Sequence, residues 1–396
     1  MKKSLLTSSI AAIVLSSSMS VQAQTFDDFV KGSAVDLNFR FRTESVDTDS
    51  TKETALANTL KSRLTFKSAD IAGLSVLIEG DNVFHINDDF NDKENGNTEY
   101  NLVLDQETTQ LNQAYAQFVG FDSTIKAGNQ RILLDNQRHV GGVAFRQDEA
   151  TFDAVSISSK AFDNLTIFAA IANNRNTITN DNTEESINLL NVKYSIDQDV
   201  SASVFYYGIK DVGQPDSGTD FDTFGIRSSG AIEGIRFEAE LATQNKTTAA
   251  GGDFDSLYYH INAGTKLGAV KATLGYEAFG SDNGEAAFAT PLGTNHKFLG
   301  WSDAFLTGGD NDGIQDFYAS GVSMISGIKL VAQFHNFSTA ENGDALGNEL
   351  GFMMNKNFSN YSANLKVAQY LASDYAENNL SKADTTKIWF TASAKF

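Results

Sequence analysis

The sequence contains no cysteine and only two prolines among its 396 residues, and these shortages narrow the classes of protein it can encode. Without cysteine the chain has no disulfide scaffold and no thiolate ligand for zinc or an iron–sulfur cluster. It has no run of about 18 consecutive apolar residues, which excludes a helical membrane protein. Basic residues are also scarce, 30 against 50 acidic ones, which argues against nucleic-acid binding. A soluble β-rich protein and an outer-membrane β-barrel remain.

The first 23 residues have the pattern of a secretory signal peptide. Lys2 and Lys3 form a positive start, an apolar stretch runs from Ile10 to Leu15, and Val21-Gln22-Ala23 offers small residues for cleavage. We therefore expect residues 1–23 to be removed and residues 24–396 to form the mature protein beyond the inner membrane.

Apolar and polar residues alternate with period two in many segments of the mature chain. In the first of these, Val35, Leu37, Phe39 and Phe41 interleave with Asp36, Asn38, Arg40 and Arg42. Similar runs recur from Leu60, Leu190, Ile235, Leu257 and Val270 onward. Each run is about ten residues long, the length with which a tilted strand crosses a bilayer, whereas strands of soluble domains are usually shorter.

The links between these runs alternate between short and long. Eighteen candidate strands can be placed, and short links such as Gly120–Asp122 alternate with long ones such as Phe84–Thr109. This layout predicts an all-β fold, a transmembrane antiparallel β-barrel of 18 strands with short periplasmic turns and long extracellular loops. Sixteen strands is the alternative, because the runs near Leu111, Ile125, Thr151 and Asp316 alternate poorly.

The last predicted strand ends on an aromatic residue. Ile388, Phe390, Ala392, Ala394 and Phe396 share one face. A terminal aromatic residue on such a strand resembles the signal that the barrel assembly machinery recognises. We therefore expect the outer membrane of a Gram-negative bacterium as the location, with its lipid and lipopolysaccharide as partners.

Basic residues mark the predicted inner wall of the barrel. We predict a pore lining or constriction formed by Arg40, Arg42, Lys61, Arg63, Arg131, Arg138 and Arg146. Arginines along a water-filled wall can pass carboxylate or phosphate groups from one to the next. The alternative is that they pair with inner-wall acids such as Glu79, Glu238, Glu240 and Glu277, and sequence alone leaves both open.

Two segments resemble the alginate-export-type porins of Gram-negative bacteria. The first runs from Gly128-Asn129-Gln130-Arg131-Ile132 through Asp135-Asn136-Gln137-Arg138-His139-Val140-Gly141 to Phe145-Arg146-Gln147, and the second begins at His296-Lys297-Phe298-Leu299-Gly300-Trp301-Ser302-Asp303. The resemblance implies an eighteen-stranded barrel whose electropositive lumen passes an anionic polysaccharide. It also implies that Arg131, Arg138 and Arg146 lie at or near the constriction. The many acids at inward positions depart from that family and favour a more general pore.

Other chemistries receive little support from the sequence. The five histidines show no metal-ligand spacing such as H-x-x-x-H. Asp310 and Asp312 lie in a loop whose oxygen ligands have calcium-like spacing, but the full twelve-residue loop is missing, so Ca²⁺ is only a lesser alternative and no cofactor is expected. No nucleophile stands beside a histidine and an acid, so an enzyme is not predicted.

The sequence therefore predicts a porin with a water-filled channel for passive diffusion of small hydrophilic solutes. The arginines of the predicted lining extend this prediction to anionic solutes. The alternative is an export conduit for an acidic polysaccharide such as alginate.

Overall fold

A computed structural model describes residues 31–306 and 308–396, and these contain one closed antiparallel barrel. The predicted signal peptide lies outside the described residues. The first nine barrel strands are β1 (Ala34–Thr48), β2 (Ala55–Lys67), β3 (Leu74–His85), β4 (Thr108–Gly120), β5 (Ser123–Gln130), β6 (Thr151–Phe162), β7 (Leu165–Asn176), β8 (Ser186–Ser195) and β9 (Val200–Lys210). The other nine are β10 (Asp220–Ile232), β11 (Ile235–Thr247), β12 (Asp253–Leu267), β13 (Val270–Phe279), β16 (Ile314–Ile325), β17 (Ile328–Ser338), β18 (Ala345–Phe358), β19 (Tyr361–Ala372) and β20 (Thr385–Lys395).

The barrel closes between its first and last strands. β1 pairs with β20 in a register that runs from Asn38 opposite Lys395 to Thr48 opposite Thr385. Every other barrel strand pairs with its neighbours along the chain. Closure leaves no strand edge with unpaired backbone groups, as a strand-built wall in lipid requires. The predicted fold, with its count of eighteen strands, is confirmed.

The remaining described elements lie in the long loops. A two-stranded hairpin consists of β14 (Ser281–Asp282) and β15 (Ala286–Ala287), and a 3₁₀ helix follows at Asn295–Lys297. The helix α1 (Asp374–Leu380) connects β19 to β20. Its first turn is capped by Ser373, whose side chain accepts a hydrogen bond from the backbone N–H of Ala376. Among the described residues, no helix is both long and apolar enough to cross a membrane.

The two ends of the barrel differ in their connections, as the link lengths predict. At the turn end, β12 and β13 are joined by residues 268–269 and β16 and β17 by residues 326–327. At the loop end the four longest connections are L2 (residues 86–107), L3 (131–150), L7 (280–313) and L9 (373–384). Both chain ends of the barrel lie at the turn end, where β1 begins and β20 ends.

The alternation in the sequence separates an apolar outer face from a polar inner face. Outward side chains such as Leu274 and Ile171 are 69% and 68% exposed. Inward side chains include buried carboxylates such as Glu44 and Asp316. Because successive residues of a strand point to opposite faces, one register places the exposed apolar residues outside and the charged residues inside.

The strands with weak alternation lie where the barrel wall is irregular. The pairing of β3 with β4 contains a bulge between Glu79 and Gly80, which shifts the inward and outward positions of β4 by one residue. β5 is only eight residues long because the chain leaves the wall after Gln130. The poor alternation near Leu111 and Ile125 thus reflects local irregularity, and the alternative of sixteen strands is wrong.

Candidate functional site

Two long loops enter the barrel and bond to each other there. Gly141 of L3 donates its backbone N–H to the carbonyl oxygen of Leu292 in L7 at 2.8 Å. Thr294 of L7 returns a bond from its N–H to the carbonyl oxygen of Gln137 at 2.9 Å. We call L3 and L7 together the plug, because both loops pack against inward side chains of the wall.

Glycines allow this close approach of the two loops. A Cβ atom on Gly141 would lie 2.1 Å from Thr294 Oγ1, and one on Gly293 would lie 2.3 Å from the carbonyl oxygen of Arg138. Cβ atoms do not approach other heavy atoms so closely, so the contact needs residues without a side chain on both loops.

The plug has an apolar core of its own inside the barrel. Leu134 and Val140 of L3 and Phe288, Leu292 and Leu299 of L7 are buried. They belong to one cluster with inward residues of the wall, including Phe205, Tyr207, Tyr258, Phe279, Phe337 and Tyr370. Burying this apolar surface stabilises the loops in the lumen and narrows the water-filled space that an eighteen-stranded barrel would otherwise enclose.

The predicted basic residues of β1 and β2 lie side by side on the inner wall. Arg40 is directly opposite Lys61, and Arg63 follows two residues later on the same face of β2. Arg40 donates from Nε to Gln147 Oε1 at 2.8 Å and from Nη1 to the carbonyl oxygen of Ala144 at 2.9 Å. Its contacts therefore hold the tip of L3 through neutral groups.

A second group of charges joins the base of L3 to β2 and β3. Lys61 lies 2.8 Å from Asp81, and Arg63 lies 2.6 Å from Asp81 and 2.7 Å from Glu149. Arg131 lies 3.0 Å from Glu79 and 2.5 Å from Glu149. Three cations and three carboxylates thus form a continuous network, which fixes both ends of L3 against the wall.

The tip of L3 is held by a further ion-pair network. Arg146 lies 2.9 Å from Glu44 and 3.6 Å from Asp303 of L7, and Arg42 lies 3.6 Å from Asp105 of L2. Burial would raise the pKa of Asp105, but the guanidinium groups of Arg42 and Arg146 outweigh burial, and its pKa is lowered. Asp105 is therefore ionised and pairs with Arg42 as a carboxylate.

Arg138 is fully enclosed on the opposite side of the plug. Its Nε donates to Glu277 Oε1 of β13 at 2.6 Å. The guanidinium also lies 4.5 Å from the ring centre of Phe279 and 4.6 Å from that of Phe298. Such contacts with ring faces compensate a buried cation for part of its lost hydration.

All seven predicted residues therefore lie inside the barrel, but they differ in access to water. The side chains of Arg131 and Arg63 are 24% and 16% exposed, and Arg40 is half-buried. The side chains of Arg42, Lys61, Arg138 and Arg146 are 10% exposed or less. The acids that the alternative named, Glu79, Glu238, Glu240 and Glu277, all pair with arginine or histidine. The pore-lining role of the seven residues stays a prediction.

Sequence reasoning missed two lysines of the same sector. Lys366 on β19 lies directly opposite Trp389 on β20, two strands from Arg42. Its Nζ is 4.4 Å from the ring centre of Phe145, 4.7 Å from Trp301 and 5.5 Å from Trp389. Lys387 on β20 lies 3.4 Å from Asp303. Both lysines occupy inward register positions, so the alternation of β19 and β20 is the signal that would have identified them.

Lys366 also contacts a buried histidine of L7. Its Nζ lies 2.9 Å from His296 Nε2, while His296 Nδ1 lies 2.6 Å from Asp303. Burial lowers the pKa of His296 to about 3, despite the nearby carboxylate of Asp303. A neutral ring satisfies both contacts, because Nδ1–H donates to Asp303 and Nε2 accepts from Lys366.

Burial raises, rather than lowers, the pKa of one carboxyl group at the base of L3. Burial raises the pKa of Asp148 to about 7, although the backbone N–H of Glu149 and the charge of Lys61 oppose the shift. Asp148 accepts hydrogen bonds from Glu149 N at 2.7 Å and from the side chain of Gln110. Its Oδ2 atom is buried without a hydrogen-bond partner. This group therefore changes its charge near neutral pH.

The calcium alternative gains no support. Among residues 31–306 and 308–396, no three His, Asp or Glu side chains come together in a way that could hold a metal ion. Asp310 borders a cavity of about 400 Å³ between L7 and L9, whose lining includes Lys382. Asp312 binds the backbone N–H groups of Ala340 and Glu341 through its carbonyl oxygen.

The barrel is similar to solved structures of Occ-type channels. It matches OccK9 (OpdG) of Pseudomonas aeruginosa with a TM-score of 0.70 and 12% identity, over 93% of this chain and 99% of that one. It matches OccK3 (OpdO) of the same species at 0.70 and 12%, over 96% and 99%. It matches OccAB2 of Acinetobacter baumannii at 0.70 and 15%, over 93% and 99%.

No family model matches the sequence. No curated protein matches it either. The resemblance to alginate-export-type porins is corrected by the structural comparison, because the neighbours are Occ and Opd porins instead. Its first motif runs from the end of β5 into L3, and its second begins in L7; both loops enter the lumen. At identities of 12–15% the likeness establishes the fold: an eighteen-stranded barrel of the type found in Occ channels.

Proposed function

We propose that this protein is an outer-membrane porin for passive diffusion of small hydrophilic solutes, with a preference for anions. The observation that carries the proposal is a closed barrel with an apolar exterior and a polar interior that L3 and L7 narrow. Solved structures with the same fold are outer-membrane porins. A membrane-spanning barrel with a charged, hydrated interior supplies a route for solutes that lipid excludes.

The anion preference rests on the charges beside the plug. The side chains of Arg63 and Arg131 stay partly exposed at the base of L3, and Arg40 lies next to them on β1. An exposed guanidinium can exchange one carboxylate for another, because its neighbouring acids and a passing anion make the same kind of hydrogen bond. We propose that anions pass along this side of the lumen.

The plug argues against the export of a polysaccharide. A polymer needs a continuous wide path, whereas L3 and L7 fill the upper lumen with a packed apolar core that includes Val140 and Leu292. The alginate-export alternative is therefore not supported. Small solutes need only the space beside the plug.

The proposal also covers where the protein lies in the cell and which partners it contacts. The exposed apolar belt suits contact with outer-membrane lipid, and the terminal Phe396 suits recognition by the barrel assembly machinery. The loops of the loop end carry 27 Asp and Glu against seven Lys and Arg. Divalent cations could bridge such loops to the phosphate groups of lipopolysaccharide.

Swelling of proteoliposomes tests the proposal. We expect liposomes containing the protein to swell in isotonic ribose, and faster in gluconate than in glucosamine. Oligomers of mannuronate should enter no faster than they enter protein-free liposomes. Swelling equal to that of protein-free liposomes in all solutes would contradict a porin, and faster entry of glucosamine than gluconate would contradict the anion preference.

A further inference from the structure

The turn end of the barrel carries a patch of basic residues that the plug does not use. Its members are Arg236 on β11, Lys266 on β12, Lys271 on β13 and Lys329 on β17, and we call them the mouth patch. All four side chains are exposed. Arg236, Lys266 and Lys271 lie across the barrel from Arg40 and Lys61, and Lys329 lies four strands from β1.

Strand register places the mouth patch on the inner face. Lys266 lies six residues after His260 on β12, and His260 faces inward opposite Glu277. Lys271 precedes Glu277 by six residues on β13, and Lys329 precedes His335 by the same number on β17. Because even separations along a strand keep the same face, these lysines point into the mouth of the lumen rather than toward lipid.

Two of the lysines are direct cross-strand neighbours. Lys266 is opposite Lys271 in the pairing of β12 with β13. Like charges in directly opposite positions destabilise a sheet by a few tenths of a kcal/mol. The arrangement therefore concentrates positive charge at a small cost to folding.

No acid in the described part of the chain pairs with the patch. The salt bridges of residues 31–306 and 308–396 include none with Arg236, Lys266, Lys271 or Lys329. The two adjoining turns, residues 268–269 and 326–327, contain no acid. The acids nearest to Arg236 along the chain are Glu238, which lies 3.0 Å from Arg227, and Glu233 in the preceding turn. By contrast, Lys67 and Lys395 at the same end share Asp36 at 3.9 Å.

We infer that the mouth patch is a binding site for multivalent anionic solutes at the turn end of the channel. This inference rests on the proposed porin function and adds a direction to it. The acidic loop end repels such anions, whereas the mouth patch holds them at the turn end. Inward-pointing ammonium groups fit an anion that is inside the mouth, since a lipid headgroup would need cations on the outer rim.

Block of single channels by tripolyphosphate tests the inference. Each side chain is substituted conservatively in the triple variant Lys266→Gln, Lys271→Gln, Lys329→Gln. The matched control, Lys52→Gln, Lys93→Gln, Lys210→Gln, removes the same charge from exposed residues at the loop end. Because the chain has no cysteine, Gln214→Cys in L5 (residues 211–219) can be biotinylated in every variant. Streptavidin then identifies the chamber that faces the loop end.

We expect tripolyphosphate to block the parent channel at lower concentration from the turn end than from the loop end. The triple variant should need roughly tenfold more tripolyphosphate from the turn end, since each exposed ionic contact contributes about 0.5 kcal/mol. The control should keep the parental block from that end. Equal block from both ends in the parent, or unchanged block in the triple variant, would overturn the inference. A parent that conducts no current would instead show that the proposed function is wrong.

Discussion

Arg138 of L3 and Glu277 of β13 form an ion pair of 2.6 Å in which both side chains are almost completely removed from water. Tyr258 donates its hydroxyl to the same carboxylate oxygen at 2.7 Å. The pair fixes the middle of L3 to the wall on the side away from Arg40 and Arg63. Removing one partner of a buried pair costs about 3–5 kcal/mol, because the other charge stays buried without compensation.

Arg138→Met should therefore release L3 from the wall. We expect larger single-channel conductance with frequent fluctuations, because an unseated L3 no longer fills the upper lumen. The double variant Arg138→Met, Glu277→Gln should regain steady currents, since the glutamine carries no charge and still accepts from Tyr258. Quiet parental currents in Arg138→Met would show that this ion pair does not hold the plug.

The contact between the two loops gives a second prediction. Gly293→Ala places a Cβ atom 2.3 Å from the carbonyl oxygen of Arg138, and backbone atoms there have little room to shift. Overpacking of this kind costs roughly 1–3 kcal/mol, so we expect weaker association of L3 with L7. Hydrogen exchange of Gly141 and Thr294 amides, measured by NMR in detergent micelles, should accelerate.

The matched control for this substitution is Gly80→Ala. A Cβ atom on Gly80 has only the carbonyl oxygen of Gln110 within 4 Å, at 3.7 Å. It should leave the exchange of Gly141 and Thr294 unchanged. Equal exchange in both variants would mean that the loops are not joined as the structure shows.

The raised pKa of Asp148 predicts that the stability of L3 in the lumen depends on pH. Its pKa is about 7 with L3 in place, above the ordinary 3.8 expected when L3 is released. Because the pKa is higher when L3 is in place, protonation of Asp148 stabilises L3 in the lumen. This stabilisation is complete below about pH 4 and is lost as the pH rises through about 7. The facing charges are Lys61, Asp81 and Glu149. We expect current fluctuations to increase between pH 6 and 8.

Asp148→Asn should remove this change and keep the low-pH behaviour throughout, because its uncharged amide still accepts from Glu149 N. Asp122→Asn in the turn between β4 and β5 makes the same substitution at an exposed residue and should retain the parental pH dependence. If Asp148→Asn varied with pH as the parent does, another group would be responsible.

The partly exposed arginines give a prediction about selectivity. Arg63→Gln, Arg131→Gln leaves Glu79, Asp81 and Glu149 with Lys61 as their remaining cation in the network. We expect the reversal potential in a KCl gradient to shift toward cation selectivity. Arg227→Gln alters an arginine elsewhere on the wall, which pairs with Glu238 and Glu240, and should have a smaller effect. Equal shifts would remove Arg63 and Arg131 from the path of the ions.

The barrel was predictable because its pattern is local. Period-two alternation at Val35–Arg42 or Val270–Tyr276 follows from which face of a strand meets lipid, and the length of each link follows from the sequence directly. The weak alternation near Leu111 arises from the bulge at Glu79 and Gly80, which no local rule locates. The type and number of strands could therefore be predicted from the sequence, whereas the irregular stretches of the wall could not.

The site was only partly predictable because its contacts join distant segments. The sequence identifies Arg138 and Arg146 as notable, but not their partners Glu277 and Glu44, which lie on strands 139 and 102 residues away. Folding of L7 onto L3 depends on glycines at the contact and an apolar core within the barrel, and neither has a periodic signal. Lys366 belongs to no cluster of basic residues in the sequence, so only its inward position on β19 distinguishes it.

The ion current through the purified protein in a planar bilayer tests the central claim most directly. The account predicts steady, ohmic single-channel currents and a reversal potential in a KCl gradient that favours chloride over potassium. Protein that inserts into the bilayer, migrates as a folded barrel before heating and still carries no current would contradict it.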